Sequence, residues 1–508
     1  MPDPGRPSRR TLLRAAAAAP WLLAGPARAQ GDGIAVRIEQ DIQTLDPAER
    51  ASAIEGNVIR AVCRNLVAFK RGSFEIENDA AAEIRQVSDT AIEFTLKDGL
   101  EFTGGYGPLT ADDVKFSYER FLSVGPDGRK PAYAADWAAL DRIEVTGPLT
   151  GRILLKHPSA ALWANAMADV SGAILSRDAW TRLGREASLK LVGAGPYRIE
   201  EWTPNRRLVL RRNEAYLGDP SDFERITLRP IAGSTTSVLA FRAHELQLTR
   251  IEANDKHRLE HLPGTRLIDL PSINFVWLGL NMAKPPFDDA RVRRAIRLAL
   301  DPGEIVTAAY DGTVAPARAL LAPGMLGYWE AAPVRKRDVE AARKLLGGGF
   351  RATLTLLNKF NYITAAEVIQ AQLAEIGVAV DLRPLDGGSF WSSGDGEVGK
   401  RLELFLLRFG GKADSSFISQ WFLPAQIGSW NWQRWNDPEY ARLYDQAAAA
   451  GDPAERAALY IRMQQLMDRS DAIIPLTHET SLFLDDAGLD PALLPNGDDQ
   501  QYALFRRL

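Results

Sequence analysis

The side chains best suited to binding chemistry fall in one stretch, Leu402 to Trp435. A short apolar strand pattern ends there at Arg408 and Phe409, and the pair Gly410-Gly411 follows. The loop beyond carries charged and aromatic side chains that could hold a small solute: Lys412, Asp414, Trp421, Trp430, Trp432 and Trp435. An α/β sheet presents a binding cleft in this way, at the carboxyl edge of a buried strand. The alternative is a core strand followed by a surface loop whose tryptophans only pack.

The tryptophans themselves admit two interpretations. Trp421, Trp430 and Trp432 could form the apolar walls of a cleft, with their indole N–H groups as donors, or each could pack inside the core. Trp430 and Trp432 are two residues apart, so on an extended segment they are expected to face the same side.

The sequence shows no arrangement of residues for catalysis or metal binding. His257 and His261 are four residues apart, but no third ligand lies near them, so a solvated helix face is expected. There is no nucleophile-elbow motif, and no lysine-serine pair follows Gly193 to Gly195 as in a phosphate loop. We therefore predict no catalytic residue, no bound metal and no cofactor.

The elements predicted around this stretch alternate between strand and helix. Strand, helix and strand patterns cover 354–357, 365–376 and 378–382, and the strand at 404–407 follows. Such a βαβ order predicts a buried sheet of parallel strands. Two further helices are predicted over 438–450 and 453–469.

The N-terminal half carries strand and hairpin signals. Residues 94–96 and 100–102 predict two short strands around a turn at Asp98-Gly99. Thr110 and Asp113 have the spacing of a capping box, which predicts a helix over 111–121.

The first 29 residues have the pattern of an export signal. The pair Arg9-Arg10 precedes an apolar run over 15–23 and a small-residue cleavage site over 27–29. The run is shorter than the ~20 residues that span a bilayer. The arginine pair resembles a twin-arginine signal, with a general secretory signal as the alternative. No cysteine lies near the predicted cut before Gln30, so we expect no lipid anchor.

Composition narrows the classes of partner. Loss of the five arginines and one aspartate of residues 1–29 shifts the formal charge from −4 to −8. An acidic chain of this kind is not expected to bind nucleic acid or anionic membrane. The single cysteine, Cys63, allows no internal disulfide, so the fold must depend on its core, and Cys63 itself is expected to be a small packed residue. We expect the exported chain to be soluble.

Five motifs occur in order along the chain: Thr44–Pro47 (TLDP), Glu93–Leu122, Gly193–Tyr197 (GAGPY), Leu278–Ala299 and Asp452–Met463. In this order they resemble the motifs of the family 5 extracellular solute-binding proteins, the peptide and nickel binding components of ABC transporters. The resemblance covers nearly all of the chain beyond the export segment.

The resemblance implies an α/β fold of the periplasmic-binding-protein type, class II, in its large three-subdomain form. Lobe I would comprise 30–272 and 478–508, with an inserted subdomain at about 48–185. Lobe II would comprise 273–477. A hinge at 273–280 and 473–477 would let the lobes close over a ligand in the cleft between them.

The resemblance also indicates where the ligand would lie. Peptide binders of the family hold the ligand's ammonium with an aspartate and its carboxylate with a basic residue. Lys359 falls near the basic position, and Trp391 matches a tryptophan that often lines the site. Lys412 falls near the aspartate position, which reverses the charge there unless Asp414 replaces it.

This reversal leads to a prediction about the solute. Lysine cannot accept a hydrogen bond from an ammonium, so peptides with a free amino terminus are predicted to bind poorly. Lys359, Arg408 and Lys412 together would favour an anionic or carboxylate-bearing solute. The alternative is that Lys412 points outward. The predicted ligand-binding residues are Lys359, Trp391, Arg408, Phe409, Lys412, Asp414, Trp421, Trp430 and Trp432.

The function implied is that of a monomeric periplasmic receptor, which captures a peptide-like or carboxylate-bearing solute and delivers it to ABC permease subunits in the inner membrane. The alternative is a secreted hydrolase or a chaperone-like peptide binder on the same fold. The sequence names neither the solute nor the permease.

Overall fold

The structure is a computed structural model that describes residues 33–49, 52–124, 130–219, 221–486 and 488–508. The predicted export segment lies outside these residues. In the part of the chain that is described, no helix is both long enough and apolar enough to cross a bilayer.

The described strands are β1 Gly33–Ile38, β2 Val67–Phe69, β3 Ile76–Asn78, β4 Ala81–Ser88, β5 Ala91–Leu96, β6 Leu140–Gly147, β7 Thr150–Leu155, β8 Tyr197–Thr203, β9 Arg207–Arg212, β10 Arg225–Pro230, β11 Leu248–Ile251, β12 Thr265–Leu280, β13 Phe350–Leu357, β14 Val378–Leu385, β15 Leu404–Phe409, β16 Ile473–Asp486, β17 Leu489–Asp490 and β18 Arg506–Arg507.

The described α-helices are α1 Ala53–Val62, α2 Ala111–Glu119, α3 Arg177–Leu183, α4 Ser234–Arg242, α5 Lys256–Leu259, α6 Ala290–Ala299, α7 Pro302–Tyr310, α8 Val339–Leu346, α9 Phe360–Ala374, α10 Gly387–Ser392, α11 Gly396–Gly399, α12 Ser416–Ser419, α13 Pro438–Ala449 and α14 Pro453–Ser470.

One ten-stranded sheet runs through both lobes, in the order β14-β13-β15-β12-β16-β11-β1-β10-β9-β8. Strands β14, β13 and β15 lie side by side in parallel on the lobe II side. Strand β15 is a nearly continuous apolar run because it is covered on both faces. Helix α9 packs on one face of this part of the sheet, and a cluster of aromatic side chains packs on the other.

Two long antiparallel strands, β12 and β16, connect the lobes. They pair from Thr265 opposite Asp486 to Gly279 opposite Ile473. The pairing register shifts between Pro271 and Phe275, where proline has no N–H to donate to the ladder. This irregularity lies next to the predicted hinge, whose role in closure stays a prediction.

Lobe I contains a separate four-stranded antiparallel sheet, β4-β5-β7-β6, within the predicted inserted subdomain. Its core includes the buried aromatic residues Phe94, Tyr118 and Trp137. Cys63 ends helix α1 in the neighbouring core and is only 3% exposed, so it is a small packed residue as predicted. Burial and the nearby charge of Asp79 raise the pKa of its thiol.

Most predicted elements are confirmed, with one correction. The capping box exists: Asp113 Oδ2 accepts from Thr110 N at 2.9 Å and from Thr110 Oγ1 at 2.8 Å. The strand predicted at 100–102 is wrong, because β5 pairs with β4 and β7, and only a bridge between Glu101 and Pro108 forms there. The strands that were predicted to be parallel, β13, β14 and β15, are parallel, and β12 and β16 extend the same sheet with antiparallel pairs.

Candidate ligand cleft between the lobes

A cavity of about 320 Å³ lies between the lobes. A volume of this size suits a small solute rather than a long chain. Helix α1, residues within 133–170 and the C-terminal segment line it from the predicted lobe I, and the loops beside strand β15 line it from the predicted lobe II. The lining residues are Ser52, Ala53, Gly56, Arg60, Tyr133, Asp169, Val170, Trp391, Arg408, Phe409, Gly410, Gly411, Lys412, Phe417, Trp421, Trp430, Asn496, Asp498 and Asp499.

The loop after β15 is held tightly against strand β12. The amide of Gly411 donates to Asn274 Oδ1 at 3.2 Å, and Asn274 is fully buried. A Cβ at position 411 would lie 2.6 Å from Ile273 Cδ1, so this close approach requires glycine. Asn274 also donates to Asn496 O at 3.0 Å, which connects the loop to the C-terminal segment of lobe I. The contacts of Asn274 thus fix the point from which Lys412, the residue after Gly411, enters the cleft.

One side of the cavity is an aromatic wall, formed by Trp391, Phe409, Phe417, Trp421 and Trp430. The rings of Trp421 and Trp430 have centroids 5.5 Å apart, and Phe409 meets Trp430 at 5.9 Å. The three tryptophans are partly exposed, so their ring surfaces are accessible from the cavity. A wall of this kind can bury the apolar part of a solute.

Asn431 holds this aromatic loop in place. Its side-chain amide donates to Phe422 O, Leu423 O and Trp435 O, and its Oδ1 accepts from Trp435 N. The side chain is fully buried, and these four bonds satisfy its polar groups.

The polar part of the cavity lining includes a network of ion pairs centred on Arg408. Its Nε lies 2.9 Å from Glu479 Oε2, and its Nη2 lies 2.8 Å from Asp498 Oδ2. Asp498 also meets Arg250 at 2.8 Å. Burial alone would raise the pKa of Asp498, but the charges of Arg408 and Arg250 outweigh burial and hold it well below its ordinary value.

Glu479 fixes the guanidinium of Arg408 and connects it to two phenols of lobe II. It accepts hydrogen bonds from Tyr310 Oη at 2.9 Å and from Tyr362 Oη at 3.0 Å. Burial, reinforced by the charge of Glu479, raises the pKa of both phenols well above the ordinary value. Helices α7 and α9 therefore both brace the base of the cleft.

Lys412 reaches across the cleft from lobe II into lobe I. Its Nζ lies 2.7 Å from Asp136 Oδ2 and 2.7 Å from Asp169 Oδ2. Burial alone would lower the pKa of Lys412, but these two carboxylates outweigh burial and raise it. Burial would raise the pKa of Asp169, but Lys412 and Arg60 lower it to about 2. Lys412 and Asp169 are therefore charged at neutral pH, whereas burial raises the pKa of Asp136 against the opposing charge of Lys412.

Comparison with known proteins identifies the family. The model of the bacterial extracellular solute-binding proteins, family 5 Middle, matches residues 75–429. The chain belongs to this family. Among curated relatives, the glutathione-binding protein GsiB of Salmonella typhimurium is 28% identical over 487 residues, which is 92% of this chain and 93% of GsiB. The predicted family and solute-binding function are confirmed.

Solved structures of similar fold support the two-lobed architecture. The periplasmic binding protein DppA of Helicobacter pylori, in complex with the peptide STSA, has a TM-score of 0.81 at 24% identity, over 94% of this chain and 98% of DppA. The dipeptide binding protein of Pseudoalteromonas sp. SM9913, in complex with Met-Leu, has a TM-score of 0.81 at 21% identity, over 94% of this chain and 100% of that protein. The predicted fold class is thus confirmed.

Six of the nine residues predicted to bind ligand line the cavity of this family 5 protein. They are Trp391, Arg408, Phe409, Lys412, Trp421 and Trp430. The other three do not. Lys359 precedes helix α9 on an exposed part of the surface. Trp432 is only 2% exposed and packs in the lobe II core. Asp414 is buried in an ion pair with Arg456 at 2.8 Å.

Two expectations about these side chains are wrong for physical reasons. Trp430 and Trp432 lie in turns rather than on the expected extended segment, and although both rings lie 6.0 Å from that of Trp391, only Trp430 lines the cavity. The expected excess of positive charge in the cleft is also absent from the described residues, because acidic partners compensate each cation. The ion pairs hold the cations Arg60, Arg250, Arg408 and Lys412 and the acids Glu39, Asp136, Asp169, Glu479, Asp498 and Asp499, which leaves two formal negative charges in excess.

Sequence reasoning missed the lobe I half of the site. Arg60 meets Asp169 and also lies 3.0 Å from Asp499. A charged residue among the apolar positions of helix α1 was one available signal of a buried ion pair. The polar turn Asn496–Asp499 within an apolar C-terminal segment was another. Asp136 and Asp169 gave no comparable local signal.

Proposed function

We propose that this protein is a periplasmic receptor for a short, peptide-like solute that bears a carboxylate, and that it delivers this solute to the permease subunits of an ABC importer. The family is one of solute-binding proteins, and its relatives include proteins named for glutathione and for dipeptides. Export through the twin-arginine-like segment and action as a monomer are parts of the same proposal. No contact or cavity of the described residues favours a hydrolase or a chaperone.

The observation that carries this proposal is the position of Arg408. Arg408 lines the cavity, and its side chain is partly exposed, at 29%. Nε and Nη2 are bonded to Glu479 and Asp498, while Nη1 has no partner among the described residues. The two acids fix the orientation of this guanidinium and leave Nη1 available. The guanidinium is therefore oriented to receive the carboxylate of a solute.

The aromatic wall supports the peptide-like part of the proposal. A carboxylate at Arg408 would place the rest of the solute near Phe409, Trp421 and Trp430, which can cover an apolar side chain. The volume of about 320 Å³ limits the solute to roughly the size of a di- or tripeptide.

Calorimetry with matched ligands tests the proposal. The full-length mature protein is titrated with Ala-Phe, with the carboxamide of Ala-Phe, and with glutathione. We expect a peptide with a free carboxylate to bind at least about 10-fold more tightly than its carboxamide, because a charge-assisted hydrogen bond is lost. Equal affinity for acid and amide would contradict the role of Arg408. Absence of binding across di- and tripeptides would contradict the proposed solute class.

A further inference from the structure

The ammonium group of Lys412 has a complete set of acceptors in lobe I. Nζ lies 2.7 Å from Asp136 Oδ2 and 2.7 Å from Asp169 Oδ2, and it donates to Asn165 O at 3.1 Å. An ammonium has three N–H donors, so these three acceptors match it one to one. The side chain of Lys412 is 13% exposed, so water contributes little to its solvation.

Two aromatic faces complete the surroundings of this ammonium. Nζ lies 4.5 Å from the ring centroid of Tyr133 and 4.8 Å from that of Phe417. Both distances are within the range of cation–π attraction. Because three oxygen acceptors accompany the rings, the group suits a primary ammonium rather than a quaternary one, which has no N–H to donate.

The lobe I part of this group is fixed by contacts that do not involve Lys412. Asp169 is paired with Arg60. Asn165 belongs to a helical turn of lobe I, and its backbone amide donates to Ala161 O at 2.8 Å. Asp136 adjoins Trp137, which is fully buried and donates to Ser171 Oγ at 3.0 Å. The acceptors are therefore held in position before any cation arrives.

We propose that lobe I carries a binding site for a primary ammonium group, formed by Tyr133, Asp136, Asn165 and Asp169, and that Lys412 of lobe II is its built-in occupant. Lys412 is the one cation paired with Asp136 among the described residues, and the Asp136 side chain is only 6% exposed. Removal of the lysine leaves the buried carboxylate of Asp136 without its counter-charge. Binding of a cation from solution is therefore favoured at this site.

The consequence for solute choice rests on the proposed function. With Lys412 in place, the amino group of a peptide cannot enter this site, so a free amino terminus brings no advantage. N-acetyl-Ala-Phe and Ala-Phe are expected to bind the native protein within about 3-fold of each other. In a variant without the lysine charge, the free amine is expected to gain about 10-fold over the acetylated peptide.

The direct test is Lys412→Met, which keeps an unbranched side chain and removes the charge. Thermal unfolding is followed with methylammonium chloride on the order of 0.1 M, against sodium chloride and tetramethylammonium chloride at equal ionic strength. We expect methylammonium alone to raise the Tm of the variant by ~3 °C or more, with no such rise for the native protein. Lys359→Met is the matched control, because Lys359 is exposed and outside the cleft, and it should not respond.

A second variant and a measurement on the native protein keep the proposal testable if Lys412→Met is unstable. Lys412→Met combined with Asp136→Asn removes the unpaired charge, so it should regain stability and lose the response to methylammonium. In the 15N-labelled native protein, the Lys412 ammonium should exchange slowly enough with water to give an observable NH3+ signal, absent from the double variant.

The outcomes separate the site from the proposed function. A response of Lys412→Met equal to that of the native protein, or equal for methylammonium and tetramethylammonium, would overturn the ammonium site. So would a native protein without the slowly exchanging signal. If the native protein binds no peptide while the variant responds to methylammonium, the proposed function fails and the ammonium site stands.

Discussion

Lys412 and Asp414 are only two residues apart, yet their side chains enter different parts of the molecule. Lys412 crosses to Asp136 and Asp169 in lobe I, whereas Asp414 turns into lobe II and pairs with Arg456. Residues two apart share a face only on an extended strand, and here the chain turns into a short helix at Ser416. The lysine therefore faces the cleft, and Asp414 serves the stability of lobe II.

Trp430 and Trp432 lie two residues apart in one loop, so substituting each of them in turn gives a matched comparison. Trp430→Ala removes part of the aromatic wall and is expected to weaken solute binding about 10-fold, with a small effect on stability. Trp432→Ala removes a buried side chain that packs against Gly394 and Phe405, and is expected to cost about 3–5 kcal/mol of unfolding free energy.

Calorimetry and urea unfolding of the two variants check this difference. If Trp430→Ala binds the solute with native affinity, the wall does not contact it. If Trp432→Ala is as stable as the native protein, its buried position is wrong.

At the scale of elements, the loop after β15 depends on close packing against β12. Gly411→Ala would place a Cβ 2.6 Å from Ile273 Cδ1, so we expect a loss of about 1–3 kcal/mol in unfolding free energy. Gly410→Ala is the control, because its Cβ would meet Asn274 Oδ1 at an ordinary 3.5 Å, and it should cost less than about 0.5 kcal/mol. Denaturant titration measures both, and equal costs would show that the loop is not tightly held.

Strand β16 contains His478, which makes the stability of this region depend on pH. Its Nε2 lies 2.9 Å from Leu320 O, its ring lies against Phe275, and burial lowers its pKa to about 4. An unfolded histidine titrates near pH 6.5, so the unfolded chain gains a proton first as the pH falls. The contribution of His478 to stability is therefore complete above pH 6.5 and is lost as the pH falls to about 4, by up to about 3 kcal/mol.

Replacement by an uncharged residue isolates this effect from the carboxylates that titrate nearby. The difference in unfolding free energy between the native protein and His478→Gln should change between pH 7 and pH 4 in the direction that favours the variant at low pH. A constant difference over that range would mean that His478 does not titrate below its ordinary pKa.

The elements were predictable where the signal is local. The apolar run of β15, the capping box at Thr110 and the proline-started helices α13 and α14 are each determined by neighbouring residues. The strand expected at 100–102 was not predictable in this way. Whether these residues pair with β5 depends on the distant strands β4 and β7, which pair with β5 instead. Local pattern cannot show which strands become neighbours.

At the scale of the whole molecule, the lining from lobe II was predictable and the charge balance was not. The resemblance to the family located Trp391 and Lys412. The acidic partner Asp136 lies 276 residues before Lys412, and Asp498 lies 90 residues after Arg408. Only the folded chain brings these charges together. The cations could therefore be recognised in the sequence, but the acidic residues that neutralise them could not.

The contacts of Lys412 join the two lobes independently of a solute, which predicts a particular response in overall dimensions. Small-angle scattering of the native protein should show little change in radius of gyration when solute is added. Lys412→Met should be larger without solute by roughly 1 Å, the scale of a hinge opening, and should contract when solute binds. Identical radii for the native protein and the variant would contradict a role for Lys412 in closure.

The burial of Cys63 has a practical consequence for measuring such motion. The only thiol of the chain is enclosed in the lobe I core, and its raised pKa disfavours the reactive thiolate. Maleimide dyes are therefore expected not to react with Cys63 in the native state. A pair of cysteines introduced on the exposed surfaces of the two lobes can be labelled selectively, without first replacing the natural one, to follow lobe separation by fluorescence energy transfer in single molecules.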